Sequence, residues 1–173
     1  MRLAEDCKVN ESIDADYLLQ MAERIEQNSR DFYALAAADA STSARQVLLQ
    51  LAEIEAGHFD TFAAMRNRLP KRSEPTPPID PHGETGAYIR ALLAGTFFDP
   101  KTSPANYLRG NESRQEILLT AIGLEKETVL FYEAVKPFLA AEADEQVLEE
   151  VICEERRHIS TLAGLLGPLI RSW

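Results

Sequence analysis

Apolar residues recur at alternating spacings of four and three in four separate stretches of this 173-residue chain. That period keeps one stripe of a helix facing its neighbours over many turns, so it predicts long helices packed nearly parallel and leaves little room for strands. The first stretch covers about 14–40, with seam positions Leu18, Ala22, Ile25, Ser29, Phe32 and Ala36. The second, about 44–69, carries Leu48, Leu51, Glu55, His58, Phe62, Met65 and Leu69. The third, about 114–139, carries Leu118, Ala121, Glu125, Thr128, Tyr132, Val135 and Leu139. The fourth, about 145–166, carries Leu148, Val151, Glu155, His158, Leu162 and Leu165, with a break expected at Gly167-Pro168. Ser43 with Gln46 and Ser113 with Glu116 have the spacing of capping boxes at the starts of the second and third.

The connections set the topology. About three residues join the first two stretches and about five join the last two, which makes each pair an antiparallel hairpin. Between the hairpins lies 70–112, which opens with PKRSEPTPPIDPHGE. Prolines lack the amide donor and clash with the preceding turn, so this run cannot be helix interior. A short apolar helix at about 86–94 (GAYIRALLA) is expected after it. A connection this long lets the chain cross the bundle and start the second hairpin from the same end as the first. The expected architecture is one all-α domain over 1–173, a four-helix bundle of two hairpins joined by a long crossover containing a short helix.

In three of the four seams an ionisable residue stands where a core residue belongs, and glutamate is almost never buried unless paired. The departures repeat. Glu55-Ala-Gly-His58 in the second stretch matches Glu155-Arg-Arg-His158 in the fourth, 100 residues later. Glu26 with Tyr33 in the first matches Glu125 with Tyr132 in the third, 99 residues later. At 1.5 Å rise per residue, each of the four glutamates lies about 15–21 Å from the turn of its own hairpin, so the four depths coincide. A spacing of three turns Glu and His about 60° apart on one helical face, within reach of a common point. A single Glu-x-x-His is weak evidence for a ligand pair and is most often a solvated face. Two of them, matched in register and each with a partner glutamate on the preceding helix, point to six metal ligands: Glu26, Glu55, His58, Glu125, Glu155 and His158. Four carboxylates carry the charge that two divalent cations neutralise, and oxygen and imidazole donors without thiolate suit iron or manganese better than structural zinc.

This pattern resembles the ferritin-like di-iron and di-manganese carboxylate proteins, which take a Glu from each of two helices and a Glu-x-x-His from each of the other two. Within them it most resembles the rubrerythrin group, on EQNSRDFY (Glu26, Tyr33), EKETVLFY (Glu125, Tyr132) and the two hairpins carrying EAGH and ERRH. The resemblance covers about 14–69 and 113–166 and says nothing specific about the crossover. It implies a ferritin-like fold with two Fe ions, Mn being the alternative. The implied chemistry is redox work on peroxide or O2, of peroxidase or ferrous-oxidase type. Iron handling without turnover and a di-manganese catalase-like protein are the other readings. Full-length rubrerythrins add a rubredoxin domain with paired Cys-x-x-Cys motifs. Here the two cysteines are Cys7 and Cys153, so any electron donor is expected to be a separate protein. Rubrerythrins also tend to carry a further carboxylate one turn beyond the third-helix ligand; Thr128 stands there, and Ser29 at its mate in the first half.

Eighteen Lys and Arg against 28 Asp and Glu give a net charge of −10, which speaks against a nucleic-acid surface. No apolar run approaches the roughly 20 residues that span a bilayer, and MRLAEDCKVNESIDADY has no signal-peptide core, so a cytoplasmic protein without a membrane partner is expected. Tyr33 and Tyr132 lie about 20° from their glutamates and are expected to hydrogen-bond the ligand carboxylates. His82 reads as a solvated loop residue, and Cys153 as packing on the side away from the metals. Glu53, Glu127 and Glu154 point off the ligand face. The apolar runs GAYIRALLAGTFF and Leu165-Leu-Gly-Pro-Leu-Ile170 with Trp173 exceed what one bundle covers, so a homodimer is expected.

Overall fold

Three of the long helices begin where a short polar side chain takes up a free amide of the first turn. A computed structural model describes residues 13–70, 83–94, 96, 103–139 and 141–170. Helix α1 (Ala15–Ala38) starts at Asp14, whose carboxylate accepts from the Tyr17 amide at 2.8 Å. Helix α2 (Thr42–Asn67) is capped by Ser41, which accepts from Ala44 N at 3.4 Å. The cap thus lies ahead of the expected Ser43–Gln46 box, and Ser43 is inside the helix: the tight turn puts Ser41 next to the first free amides. Helix α3 (Glu84–Leu93) is the short helix of the crossover. Helix α4 (Arg114–Val135) opens with the full box: Ser113 Oγ accepts from Glu116 N at 3.2 Å while Glu116 accepts from Ser113 N at 2.8 Å.

Three boundaries in the second hairpin move away from expectation. Helix α4 stops at Val135, and Lys136–Phe138 tighten into a 3-10 turn because Pro137 has no amide to continue the ladder. Helix α5 (Glu142–Ile170) begins earlier, with Glu142, Asp144 and Glu145 in its first turn, where the helix dipole favours negative charge. It also runs through Pro168 instead of breaking at Gly167-Pro168. Within a turn of its end a helix gives up only one hydrogen bond to that proline.

Helix α1 packs along α2 and α4 along α5, and the two hairpins meet through α1–α5 and α2–α4. Backbone ties fix their directions. At one end Ile13 N donates to Phe138 O at 2.7 Å, and Ala15 N donates to the buried Asp144 Oδ1 at 2.9 Å. At the other, Ser41 N donates to Gly110 O at 2.9 Å. Helix α4 therefore starts beside the α1–α2 turn. The second hairpin begins at the opposite end from the first, not at the same end as expected, because the crossover carries the chain along the full length of the bundle. The result is an all-α four-helix bundle with the single long crossover of ferritin-like folds. Gly110 permits the close approach: it has φ +88°, and a Cβ there would meet Asp39 O at 3.2 Å. Arg45 reaches back to the carbonyls of Ala37, Ala38 and Ala40 at 3.0, 3.1 and 3.3 Å, satisfying the end of α1.

The seams form the core and drift near two helix ends, Leu166 being buried where Leu165 is half-buried. Ala37 is buried where Ala36 is half-buried, because a straight helix of period 3.6 outruns a 3.5 repeat. Leu92, Leu93, Leu165 and Leu169 pack against that core and Ile89 and Leu166 join it, so these parts of the two apolar runs are spent on their own bundle. Among the described residues the exposed large apolar side chains are Tyr88 of the first run and, outside the two runs, Leu35, Leu49, Leu119 and Leu130. Cys153 is exposed, not packed: about 200° from Glu155, it faces solvent. Cys7, His82, Trp173, the proline-rich run and the GTFF phenylalanines lie outside the described residues. No helix among those residues is long and apolar enough to cross a membrane.

Candidate metal centre

Glu26, Glu55, Glu125 and Glu155 lie near the midpoints of helices of 24, 26, 22 and 29 residues. A midpoint is equally far from both ends. Their depths therefore match even though the two hairpin turns lie at opposite ends of the bundle.

The six residues with ligand-type side chains meet in the interior. Side-chain exposure is 3% for Glu26, 1% for Glu55, 4% for Glu125 and 1% for His158, against 23% for His58. Glu155 is fully buried. His158 Nδ1 lies 3.3 Å from Glu125 Oε1 and its Nε2 lies 3.8 Å from Glu55 Oε1. His58 Nδ1 lies 4.0 Å from Glu26 Oε2, and the two imidazole rings meet with centroids 4.0 Å apart. Three sets of donor atoms fall within 4.8 Å of one another: Glu55, His58 and His158; Glu26, His58 and Glu155; and Glu125, Glu155 and His158. Glu155 belongs to a set with each histidine and Glu55 to the set that holds both, so these two link the sets.

Burying this much negative charge is costly, and the side chains register it. Burial first, then the charges of Glu155 and Glu55, hold Glu26 well above the ordinary carboxylate range. Burial, then Glu125 and Glu55, do the same to Glu155. Glu55 is pushed up to about 8 by burial and Glu125, with His158 pulling the other way. Burial, then the neighbouring His158, lowers His58 to about 4. Burial also opposes charge on His158, but the Glu125 carboxylate 3.3 Å from its Nδ1 and the charge of Glu55 outweigh that and raise it.

A cation fits what these residues lack. Among the described residues no lysine or arginine is buried, so these supply no fixed positive charge here. Glu55 Oε1, both Glu155 oxygens, His58 Nδ1 and both His158 nitrogens are buried without a hydrogen-bond partner. Such groups are normally satisfied, and converging unpaired oxygen and imidazole donors are what a divalent ion takes up.

Tyr33 and Tyr132 are buried against the cluster, and neither hydroxyl has a hydrogen-bond partner. Burial and then glutamate charges, led by Glu55 for Tyr33 and by Glu155 for Tyr132, keep both phenols protonated far above their usual range. Ser29 and Thr128 turn back onto their own helices, donating to Ile25 O at 2.9 Å and Leu124 O at 3.3 Å. Glu53 and Glu127 are exposed, and Glu154 pairs with Arg157 on the outer face. Asp144 is the one buried carboxylate outside the cluster among the described residues; the acidic start of the fourth stretch was its sequence signal, and it serves α1 by accepting from Ala15.

No family model and no curated protein matches the chain. A solved structure similar to it is a Thermotoga maritima chain provisionally described as a ferritin-like diiron-carboxylate protein. The two share 19% identity with a TM-score of 0.44, over 90% of this chain and 96% of that one. Likeness at this distance assigns no family.

Proposed function

We propose that this chain is a rubrerythrin-like, non-haem di-iron protein acting on peroxide or O2, as a peroxidase or a ferrous-iron oxidase. The observation that carries the reading is the interior set of four carboxylates and two imidazoles, with unpaired donor atoms and no buried lysine or arginine among the described residues. Glu26 and His58 would hold one ion, Glu125 and His158 the other, with Glu55 and Glu155 between them. When bound, two adjacent ferrous ions supply two electrons together to an oxygen substrate. The side chains around them do three things. The four carboxylates would balance the charge of the ions they hold. The apolar walls, including Phe62 and Leu162, keep bulk water out. Tyr33 and Tyr132 remain protonated and hold O–H donors next to the carboxylate cluster. Electrons would come from a separate donor protein, and the homodimer is part of the same proposal.

One observation favours a second reading, iron handling without turnover. Ser29 and Thr128 spend their hydroxyls on their own helices, so neither position offers an additional ligand that moves with redox state. Metal analysis of protein purified from its native host, with no metal added, tests the centre itself. About two Fe per chain supports it; two Mn transfers it to the catalase-like variant; no bound transition metal overturns it. Steady-state consumption of peroxide and O2 by iron-loaded protein then separates turnover from handling.

A further inference from the structure

His58 and His158 occupy the same phase of their helices, three residues after a buried glutamate. Within two turns to either side of His58 on the same face, Leu51, Glu55, Phe62 and Met65 are all buried. The ring therefore does not owe its 23% exposure to facing outward; the packing over it has a local gap. The matching surroundings of His158 (Val151, Glu155 and Leu162) leave that side chain 1% exposed. The gap reaches the interior directly. Nδ1 of His58 is buried and turned towards Glu26, and its ring touches that of His158, so one imidazole separates solvent from the cluster.

We infer that the centre is entered from solvent at His58, through hairpin α1–α2 alone, so that the ion held with Glu26 and His58 exchanges ahead of the ion held with Glu125 and His158. This rests on the metal-binding reading above and adds to it an order and a route. A sealed site releases its ion only when the surrounding packing opens locally, whereas the His58 side needs no such opening. Small anions and oxygen species would take the same path.

Co(II), which reports its ligand field in the visible spectrum, is the probe. The full chain is loaded with Co(II), its stoichiometry measured, and release into excess EDTA followed. Two equivalents bound, then lost in two phases of equal amplitude, with the faster ahead by about tenfold or more, is the expected result. Thr61→Trp places bulk on the exposed flank of α2 one turn from His58, outside the ligand set. It should slow the fast phase and leave the slow phase and the stoichiometry unchanged. Ile54→Trp provides the same obstruction from the other side if the Thr61 variant folds poorly. Carbethoxylation of metal-free protein, mapped by peptide mass spectrometry, should modify His58 while His158 resists. Two equivalents lost in a single phase, or equal modification of the two histidines, overturns the entrance while leaving the metal centre standing. A single equivalent bound overturns the two-ion order proposed here, and no Co(II) bound removes the metal reading and this inference with it.

Discussion

The two hairpins carry nearly the same chemistry and keep it under different conditions. Each contributes a glutamate with a tyrosine seven residues on, then Glu-x-x-His. Yet His58 is partly open to solvent and lowered to about 4, while His158 is sealed and raised by Glu125 and Glu55. An internal repeat copies residue types and helical phase; it does not copy what packs over them. Equal ligands can thus be unequal sites.

The largest effect should come from what the hairpins share, the buried charge. Metal-free protein is expected to melt roughly 10 °C or more below the Fe- or Co-loaded form at pH 7.5, since ligands bound tightly to the native state alone add several kcal/mol. The pH dependence follows from the shifts. Glu55, with Glu26 and Glu155 beside it, is raised when folded, so its stabilising contribution to the metal-free protein is full below 4.5 and is lost as pH rises through about 8. His58 works the other way: its contribution is present above 6.5 and is lost as pH falls towards 4. Three carboxylates outweigh one imidazole. Metal also needs deprotonated ligands, so the gap between loaded and metal-free melting temperatures should narrow as pH falls to 5. Equal melting with and without chelator at pH 7.5 would remove the buried-charge account of both hairpins.

The next effect separates the hairpins. His58→Ala and His158→Ala should each lower the metal-to-protein ratio below two, measured by elemental analysis. In metal-free protein their costs should differ. His158→Ala empties a sealed position and strips Glu125 of its partner, a loss of about 2–3 kcal/mol. His58→Ala opens onto solvent and should cost less than about 1 kcal/mol. Urea melts giving the reverse order would show that exposure does not distinguish the two sites.

A smaller effect belongs to the tyrosines. Both hydroxyls are buried without a partner, so Tyr33→Phe and Tyr132→Phe should leave metal-free stability within about 1 kcal/mol of the parent, or raise it, because a buried unpaired donor is a cost. A loss of more than that from either one would reveal a hydrogen bond in that hairpin. The smallest effects are expected off the ligand face. Glu53→Ala and Glu154→Ala should keep two metals and change stability by no more than about 0.5 kcal/mol, since exposed charges contribute little. Loss of metal from Glu154→Ala with retention in His158→Ala would mean that the helix register is wrong.

Much of this was open to reading in the chain itself. The 4-3 spacing determined four helices and their inward faces, because burial is the only use for such a stripe. The doubled Glu-x-x-His with its two partner glutamates determined which side chains share one level, because rise and turn angle per residue are constants of the helix. Some local details stayed hidden: Ser41 displaced Ser43 as a cap, and Pro137 halted α4 while Pro168 left α5 intact, because a proline's cost depends on how much helix lies beyond it. The direction of the second hairpin was also beyond sequence reading. Residue spacing from a turn is the same whichever end the turn occupies, and only the Ser41–Gly110 and Ala15–Asp144 ties decide it. The same holds for the inequality of His58 and His158. Their exposure depends on atoms brought from distant parts of the chain, and helical phase, identical in both, carries no record of them.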